Sequence, residues 1–424
     1  MGNLDYTQVL NKIENTRRFG NEPGVVVTAQ VIKVLREKGK QKRIIPYIHV
    51  AGTNGKGSVC AFFSSILKKE HMRVGTFVSP HLVDFEERIT VDGRMIAKED
   101  VTRLGNYLLD IDFGIGLTMF DYCLAMALLY FEEQQCDYMV IETGLGGRLD
   151  STNAIGTPQC AVITKIGYDH MAILGSDIAD IAAEKAGIIK ENSTVVVEQQ
   201  DKRAMQVIEQ ETQKKHARII TVEQSDIARC SGYALRLCGT FQWENAAAAE
   251  LAARYVLGKR YGWPEYEMQN DKTEPKREET ELNKRIKRAL EEAVWPGRME
   301  IVSKEPFLLV DGAHNSNGVD ALRESLMQMY PGEKFCFFMG VMADKDYDAM
   351  IREILPLAEE FYTVTPDSDR ALQASHLADF IRKEGVEATE LSGVDEIRKH
   401  LKRDTKNVAF GSLYFIGELK QHRI

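Results

Sequence analysis

Seven consecutive residues, Gly52-Thr53-Asn54-Gly55-Lys56-Gly57-Ser58, carry the strongest chemical signal in the chain. Glycines let a backbone turn tightly, so that successive N–H groups point inward at phosphate oxygens. A helix opening after such a turn adds a partial positive charge, and Lys56 adds a full one. Ser58 supplies a hydroxyl for a phosphate or for Mg²⁺. The common phosphate-loop pattern is not met literally, because Val50 stands where its first glycine would fall and Gly57 separates Lys56 from the hydroxyl. A glycine-rich turn by itself is often only a turn. Here an apolar strand precedes it and a helix follows, so the segment reads as a nucleotide phosphate site.

Other residues could do chemistry beside it. Glu142 closes the apolar run Tyr138–Ile141, which puts its carboxylate at the C-terminal end of a strand, the edge where open α/β sheets bind ligands. A carboxylate there suits Mg²⁺, directly or through water; a helix cap or a surface acid is the plainer alternative. His170 follows Asp169 after another apolar strand, and taken alone it is an ordinary core or surface histidine. Lys185 lies in a helix of small residues, where a solvated lysine is ordinary. Asp311 ends an apolar run before Gly312, as a functional acid or as a simple turn residue.

These residues need a frame. Strands are expected at 44–50, 74–78, 138–142, 161–164 and 194–197, with helices at 58–70, 118–134 and 178–188. Strand, turn and helix in that order make a parallel sheet with crossover helices. From Tyr261 to Arg288 the apolar periodicity gives way to charges and amides, which predicts a surface insertion. Beyond Trp295-Pro296-Gly297-Arg298, strands at 307–311, 334–339, 361–365 and 408–410 predict a second, smaller doubly wound unit. The expected fold is α/β: a large ATPase domain of the phosphate-loop type over 1–294 and a smaller Rossmann-like domain over 295–424.

Composition removes several classes. With 54 Lys and Arg against 63 Asp and Glu, the net charge of −9 carries no nucleic-acid signature. The first residues are polar and lack the apolar core of a signal peptide, and no apolar run approaches a membrane span. Seven scattered cysteines without a Cys-x-x-Cys pair point to reduced thiols and a cytoplasmic protein. The histidines show no zinc spacing.

The variant loop resembles that of the Mur ligase superfamily, and further motifs resemble one branch of it, folylpolyglutamate synthase and dihydrofolate synthase. They are Ser79-Pro80-His81-Leu82 with Glu87-Arg88-Ile89, Glu142 to Asp150 ending in Thr152-Asn153, and Ile163 to His170. Ile181 to Ile188, Trp295 to Glu300, Asp311 to Asn315, Met342 to Asp346 and Gly411 to Tyr414 complete the set. The resemblance implies an ATP-dependent amide ligase that activates a folate or dihydropteroate carboxylate as an acyl phosphate and joins L-glutamate to it. It implies Ser79 and Glu142 as ligands of one Mg²⁺, His170 as ligand of a second, and carbamylation of Lys185. It also implies that Asn245 contacts adenine, that Arg298 reaches the phosphates, and that Asp311 and His314 lie near the nucleotide and the incoming amino acid. The partners are then small molecules, with neither nucleic acid nor membrane, and the protein a monomer.

Three features depart from that branch, one of them the charged insertion over 261–288, which is longer than usual there. Phe241-Gln242-Trp243-Glu244-Asn245 has phenylalanine where the branch usually has histidine, and Lys165 stands where Ser or Asn is usual. Phe241 leaves stacking or packing as its options. The competing readings are a peptidoglycan-precursor ligase on the same fold, a phosphate-loop ATPase that makes no amide, and a non-catalytic binding protein that keeps ATP affinity.

Overall fold

The computed structural model of the chain describes residues 3–16, 20–261 and 281–422. Two compact units divide it. The first comprises Met1–His81, Phe85–Ala234 and Glu244–Ala293, and the second Leu82–Asp84, Leu235–Trp243 and Val294–Ile424.

The first unit is built on eight strands: β1 (Tyr47–Ala51), β2 (Val74–Phe77), β3 (Ile89–Val91), β4 (Arg94–Met95), β5 (Tyr138–Glu142), β6 (Cys160–Ile163), β7 (Thr194–Val197) and β8 (Arg218–Thr221). Their order across the sheet is β4-β3-β2-β5-β1-β6-β7-β8. The run from β2 to β8 is parallel, and β3 and β4 extend it antiparallel at one edge. β1, β2, β5, β6 and β7 are buried along their whole length, which is why they read as continuous apolar runs rather than alternating ones. Register decides what meets at the carboxyl edge. Val50 pairs with Glu142 and Ala51 with Ile163, so the turns after β1, β5 and β6 emerge side by side.

The helix Lys56–Lys69 buries Val59, Phe62, Phe63, Ile66 and Leu67. A second helix, Glu281–Glu292, packs on it: the Ser65 hydroxyl donates to the Ala289 carbonyl at 2.6 Å and Arg285 pairs with Glu70 at 2.6 Å. This revises the charged insertion expected over 261–288. Its stretch 262–280 lies outside the described residues, but 281–288 is helical, because Ile286, Ala289 and Leu290 form a narrow buried stripe among charges. The helix Met119–Glu133 is opened by a reciprocal cap between Thr118 and Asp121. Two further helices near the N-terminus, Tyr6–Glu14 and Gly24–Glu37, bury Val9, Ile13, Val27 and Val31 in the same core.

The second unit holds β9 (Glu300–Lys304), β10 (Phe307–Val310), β11 (Phe335–Met339), β12 (Ala358–Thr363), β13 (Ala388–Glu390) and β14 (Lys406–Phe410), ordered β13-β12-β11-β14-β10-β9, with only β9 antiparallel. Its core is rich in phenylalanine: the Phe337 ring lies 5.2 Å from Phe361 and 5.5 Å from Phe410. Phe241 is half-buried against this core, so packing occupies it.

All seven cysteines are free thiols; six are buried and Cys238 is partly exposed. Among the described residues no helix is long and apolar enough to cross a membrane.

Candidate active site

Burial of both faces of β1 leaves its carboxyl end as the place where the chain can meet a ligand, and there the loop Gly52–Gly55 turns into the helix Lys56–Lys69. Gly55 caps that helix at φ +91°, a left-handed conformation that costs glycine little. A Cβ at Gly55 would also lie 2.3 Å from Oδ1 of Asn245, so the buried asparagine sits directly against the turn. The Thr164 hydroxyl donates to the Asn54 carbonyl at 2.6 Å, and the Thr53 hydroxyl to the Gly167 carbonyl at 3.0 Å.

One expectation about this loop is corrected. The N–H groups of Thr53 and Asn54 do not point inward; both donate to the carbonyl of Lys165, at 2.9 and 3.2 Å. The N–H groups of the first helical turn, at Lys56, Gly57 and Ser58, have no carbonyl four residues back within the helix and suit a phosphate.

Lys56 folds over the loop and donates from Nζ to the carbonyls of Gly52 and Thr53, at 3.2 and 3.1 Å, with Glu142 Oε1 3.9 Å away. Glu142, 4 % exposed, accepts the Ser79 N–H on Oε2 at 3.2 Å. Lys185 is also 4 % exposed and donates to the Gly52 carbonyl at 2.8 Å. Burial foremost, and then repulsion from Lys56, bring its ammonium down to about 7, against the pull of Asp169 and Asp150. The sequence makes Lys185 an ordinary surface lysine; the fold turns it inward. His170 is exposed, in a left-handed conformation at the start of a short helix, with Nε2 3.9 Å from Asp169.

A buried polar chain supports the turn after β5. The Asp150 carboxylate accepts the N–H groups of Gly144 and Leu145, both at 3.0 Å, and the Thr152 hydroxyl; Thr152 in turn meets Nε2 of His49 at 2.8 Å. Burial lowers His49 to about 3, so its imidazole is neutral. His49 lies in an apolar strand, with no pattern in the sequence to mark its partner. In the segment after β2, Arg88 Nε donates to His81 Nδ1 at 2.8 Å.

In the second unit Asp311, 4 % exposed, follows β10 and accepts the N–H groups of Met299 and Ala313 at 2.8 and 2.7 Å. Burial pushes its carboxyl up, while the Arg298 guanidinium pulls it down. His314 Nδ1 lies 2.8 Å from the Gly312 carbonyl, and Arg298 packs against Gly312. Arg298, Asp311 and His314 therefore come together.

No group of three or more His, Cys, Asp or Glu side chains able to hold a metal occurs among the described residues. Glu142 and the Ser79 hydroxyl are hard oxygen donors. They suit Mg²⁺, which keeps water and phosphate oxygens as its other ligands, better than an ion that needs a protein cage.

Residues 50–253 match the Mur ligase middle domain, and residues 297–410 the Mur ligase glutamate ligase domain. Fold and site thus define an ATP-dependent ligase of the Mur superfamily. The chain is 32 % identical, over 98 % of both lengths, to the dihydrofolate synthase/folylpolyglutamate synthase of Bacillus subtilis. It is 30 % identical to the folylpolyglutamate synthase of Lacticaseibacillus casei over 87 % of each. Among solved structures, Mycobacterium tuberculosis folylpolyglutamate synthase complexed with ADP superposes with a TM-score of 0.84, at 25 % identity, covering 99 % of this chain and 98 % of that one. E. coli FolC in complex with DHPP and ADP superposes with a TM-score of 0.80, at 26 % identity, covering 99 % and 97 %. The chain belongs to the folylpolyglutamate synthase/dihydrofolate synthase family.

Proposed function

We propose that the protein uses ATP to join L-glutamate to a folate or to dihydropteroate. The observation that carries this reading is the gathering of Lys56, Glu142, Ser79 and Lys185 around one glycine-rich turn. The acceptor carboxylate attacks the γ-phosphorus of ATP: its oxygen forms the new O–P bond, the bond to the β-phosphate oxygen breaks, and ADP leaves. The glutamate amine then attacks the acyl carbon, the C–N bond forms, phosphate departs with the C–O electron pair, and the amine releases a proton.

The protein's part is positioning and charge neutralisation. The first helical turn and Lys56 hold the phosphates, and Asn245 contacts the adenine. Glu142 and Ser79 are the residues that would hold Mg²⁺, with His170 serving a second ion. When bound, Mg²⁺ supplies positive charge to the phosphate oxygens. Arg298 suits a phosphate through its planar fork of donors, and Asp311 and His314 surround the incoming amino acid.

Lys185 is the candidate for carbamylation. The ammonium first loses a proton; the uncharged nitrogen then attacks the carbon of CO₂, an N–C bond forms as one C=O π pair moves to oxygen, and a second proton leaves the nitrogen, so that the cation becomes an anion. Free thiols throughout suit a reducing cytoplasm.

The test is ADP release with Mg²⁺ and ATP, with and without glutamate, across dihydropteroate and reduced folates. Release that requires glutamate and one pterin substrate is expected and identifies the acceptor. Hydrolysis indifferent to glutamate would sink the ligase reading.

A further inference from the structure

Three segments leave the carboxyl ends of β1, β6 and β7, and they are tied to one another in series. The Lys165 carbonyl, after β6, takes the N–H groups of Thr53 and Asn54. The Lys165 N–H in turn donates to Oε2 of Glu198, the first residue after β7, at 2.7 Å. Gln200 brackets the same turn, its Oε1 accepting the Ile166 N–H at 2.9 Å and its Nε2 donating to the Thr164 carbonyl at 3.1 Å.

The series continues to the adenine side. The Gln199 N–H donates to Oε1 of Glu244 at 2.7 Å, and the next residue, Asn245, sets its Oδ1 against Gly55. Lys165 adds a side-chain link, Nζ to the Gln199 carbonyl at 2.7 Å, with Glu244 Oε2 3.9 Å away. The ring therefore runs from the phosphate turn through Lys165, Glu198, Gln199, Glu244 and Asn245 back to the turn.

Glu198 is the least ordinary member. It is 1 % exposed, and its Oε1 has no hydrogen-bond partner among the described residues. Burial and the nearby Glu244 push its carboxyl well above the usual range, against the pull of the Lys165 N–H and ammonium. A buried acid with half its acceptors idle is costly as a purely structural element, and an apolar residue would fill the space more cheaply.

We propose that Glu198 is a positioning residue for the nucleotide: through the Lys165 backbone it fixes the Thr53–Gly55 turn, and through Gln199 and Glu244 it fixes Asn245. This rests on the nucleotide reading of the turn given above. It also gives Lys165, unusual at its position, a task within the same ring.

The experiment is ADP binding by titration calorimetry on the full chain, with melting temperatures recorded beside it. Glu198→Ala is expected to weaken ADP about ten-fold. Glu198→Gln is expected to stay within about two-fold of the parent, because a carboxamide oxygen can accept the same Lys165 N–H. ADP binding unchanged in Glu198→Ala, whatever its melting temperature, overturns the proposal. So does a Glu198→Gln variant as weak as Glu198→Ala. Should Glu198→Ala not fold, Gln200→Ala removes the second bracket from a half-buried position and is expected to weaken ADP several-fold; unchanged binding there has the same overturning force. ADP binding requires no ligation, so a parent chain that binds ADP without glutamate-dependent turnover removes the ligase reading and leaves this comparison decisive.

Discussion

Lys56 and Lys185 aim their Nζ atoms at one acceptor, the carbonyl oxygen of Gly52, at 3.2 and 2.8 Å. Two cations on a single carbonyl repel, and the buried partner yields. Lys185 comes down to about 7, through burial first and Lys56 second. Above about pH 7 Lys185 then passes from an ammonium to an amine.

That pairing makes stability depend on pH with a definite sign. Unfolded, the lysine keeps its proton up to about pH 10.4; folded, it loses it near 7. Between those values the unfolded chain binds more protons, so the folded state gains stability as pH rises. Lys185→Met removes this dependence. In CO₂-free buffer, the melting difference between parent and variant should move in the parent's favour from about pH 7 to about pH 10, and a constant difference would refute the assignment.

Carbamylation predicts a dependence on dissolved CO₂. Turnover by degassed enzyme should fall and should return on adding bicarbonate. Lys185→Ala should be about 100-fold slower or worse and indifferent to bicarbonate. Full activity after exhaustive degassing would remove the carbamate.

Lys56→Ala should reduce glutamate-dependent ADP formation by at least about 100-fold, because the proposed phosphate contact and the closure of the loop over Gly52 and Thr53 are both lost. Near-normal turnover would strip Lys56 of its role.

Glu142→Gln keeps an oxygen to accept the Ser79 N–H but loses the charge. The expected result is a requirement for about ten-fold more Mg²⁺ at half-maximal rate, with the rate partly recovered at high Mg²⁺. An unchanged Mg²⁺ titration would show that Glu142 does not serve the ion.

Gly55→Ala combines an unfavourable φ of +91° with a Cβ 2.3 Å from Asn245 Oδ1. It should raise the KM for ATP about ten-fold or more and lower the melting temperature. Unaltered kinetics would mean that the turn and Asn245 are not held together.

The parts of the molecule readable in the sequence were those with a local pattern. β1, β5 and β6 are short apolar runs, and the glycine-rich turn sits between a strand and a helix. The helix Glu281–Glu292 was hidden by its low overall hydrophobicity, not by lack of period: Leu282, Ile286, Ala289 and Leu290 recur at helical spacing, but inside a stretch dominated by charges. Glu198 and His49 were invisible for a different reason. Each is polar inside or just after an apolar strand, and its meaning comes from a partner 33 or 103 residues away. Lys185 was legible as a lysine on a helix, but its inward direction depends on the Gly52 carbonyl, 133 residues back along the chain.

Cys238 has a practical value that its six buried counterparts lack. A maleimide dye should attach there in preference, three residues before Phe241, without any cysteine having to be engineered away. Burial raises the Cys238 thiol, so mildly alkaline labelling is the natural choice. The native chain thereby offers a single-point optical reporter beside the start of the helix that carries Asn245.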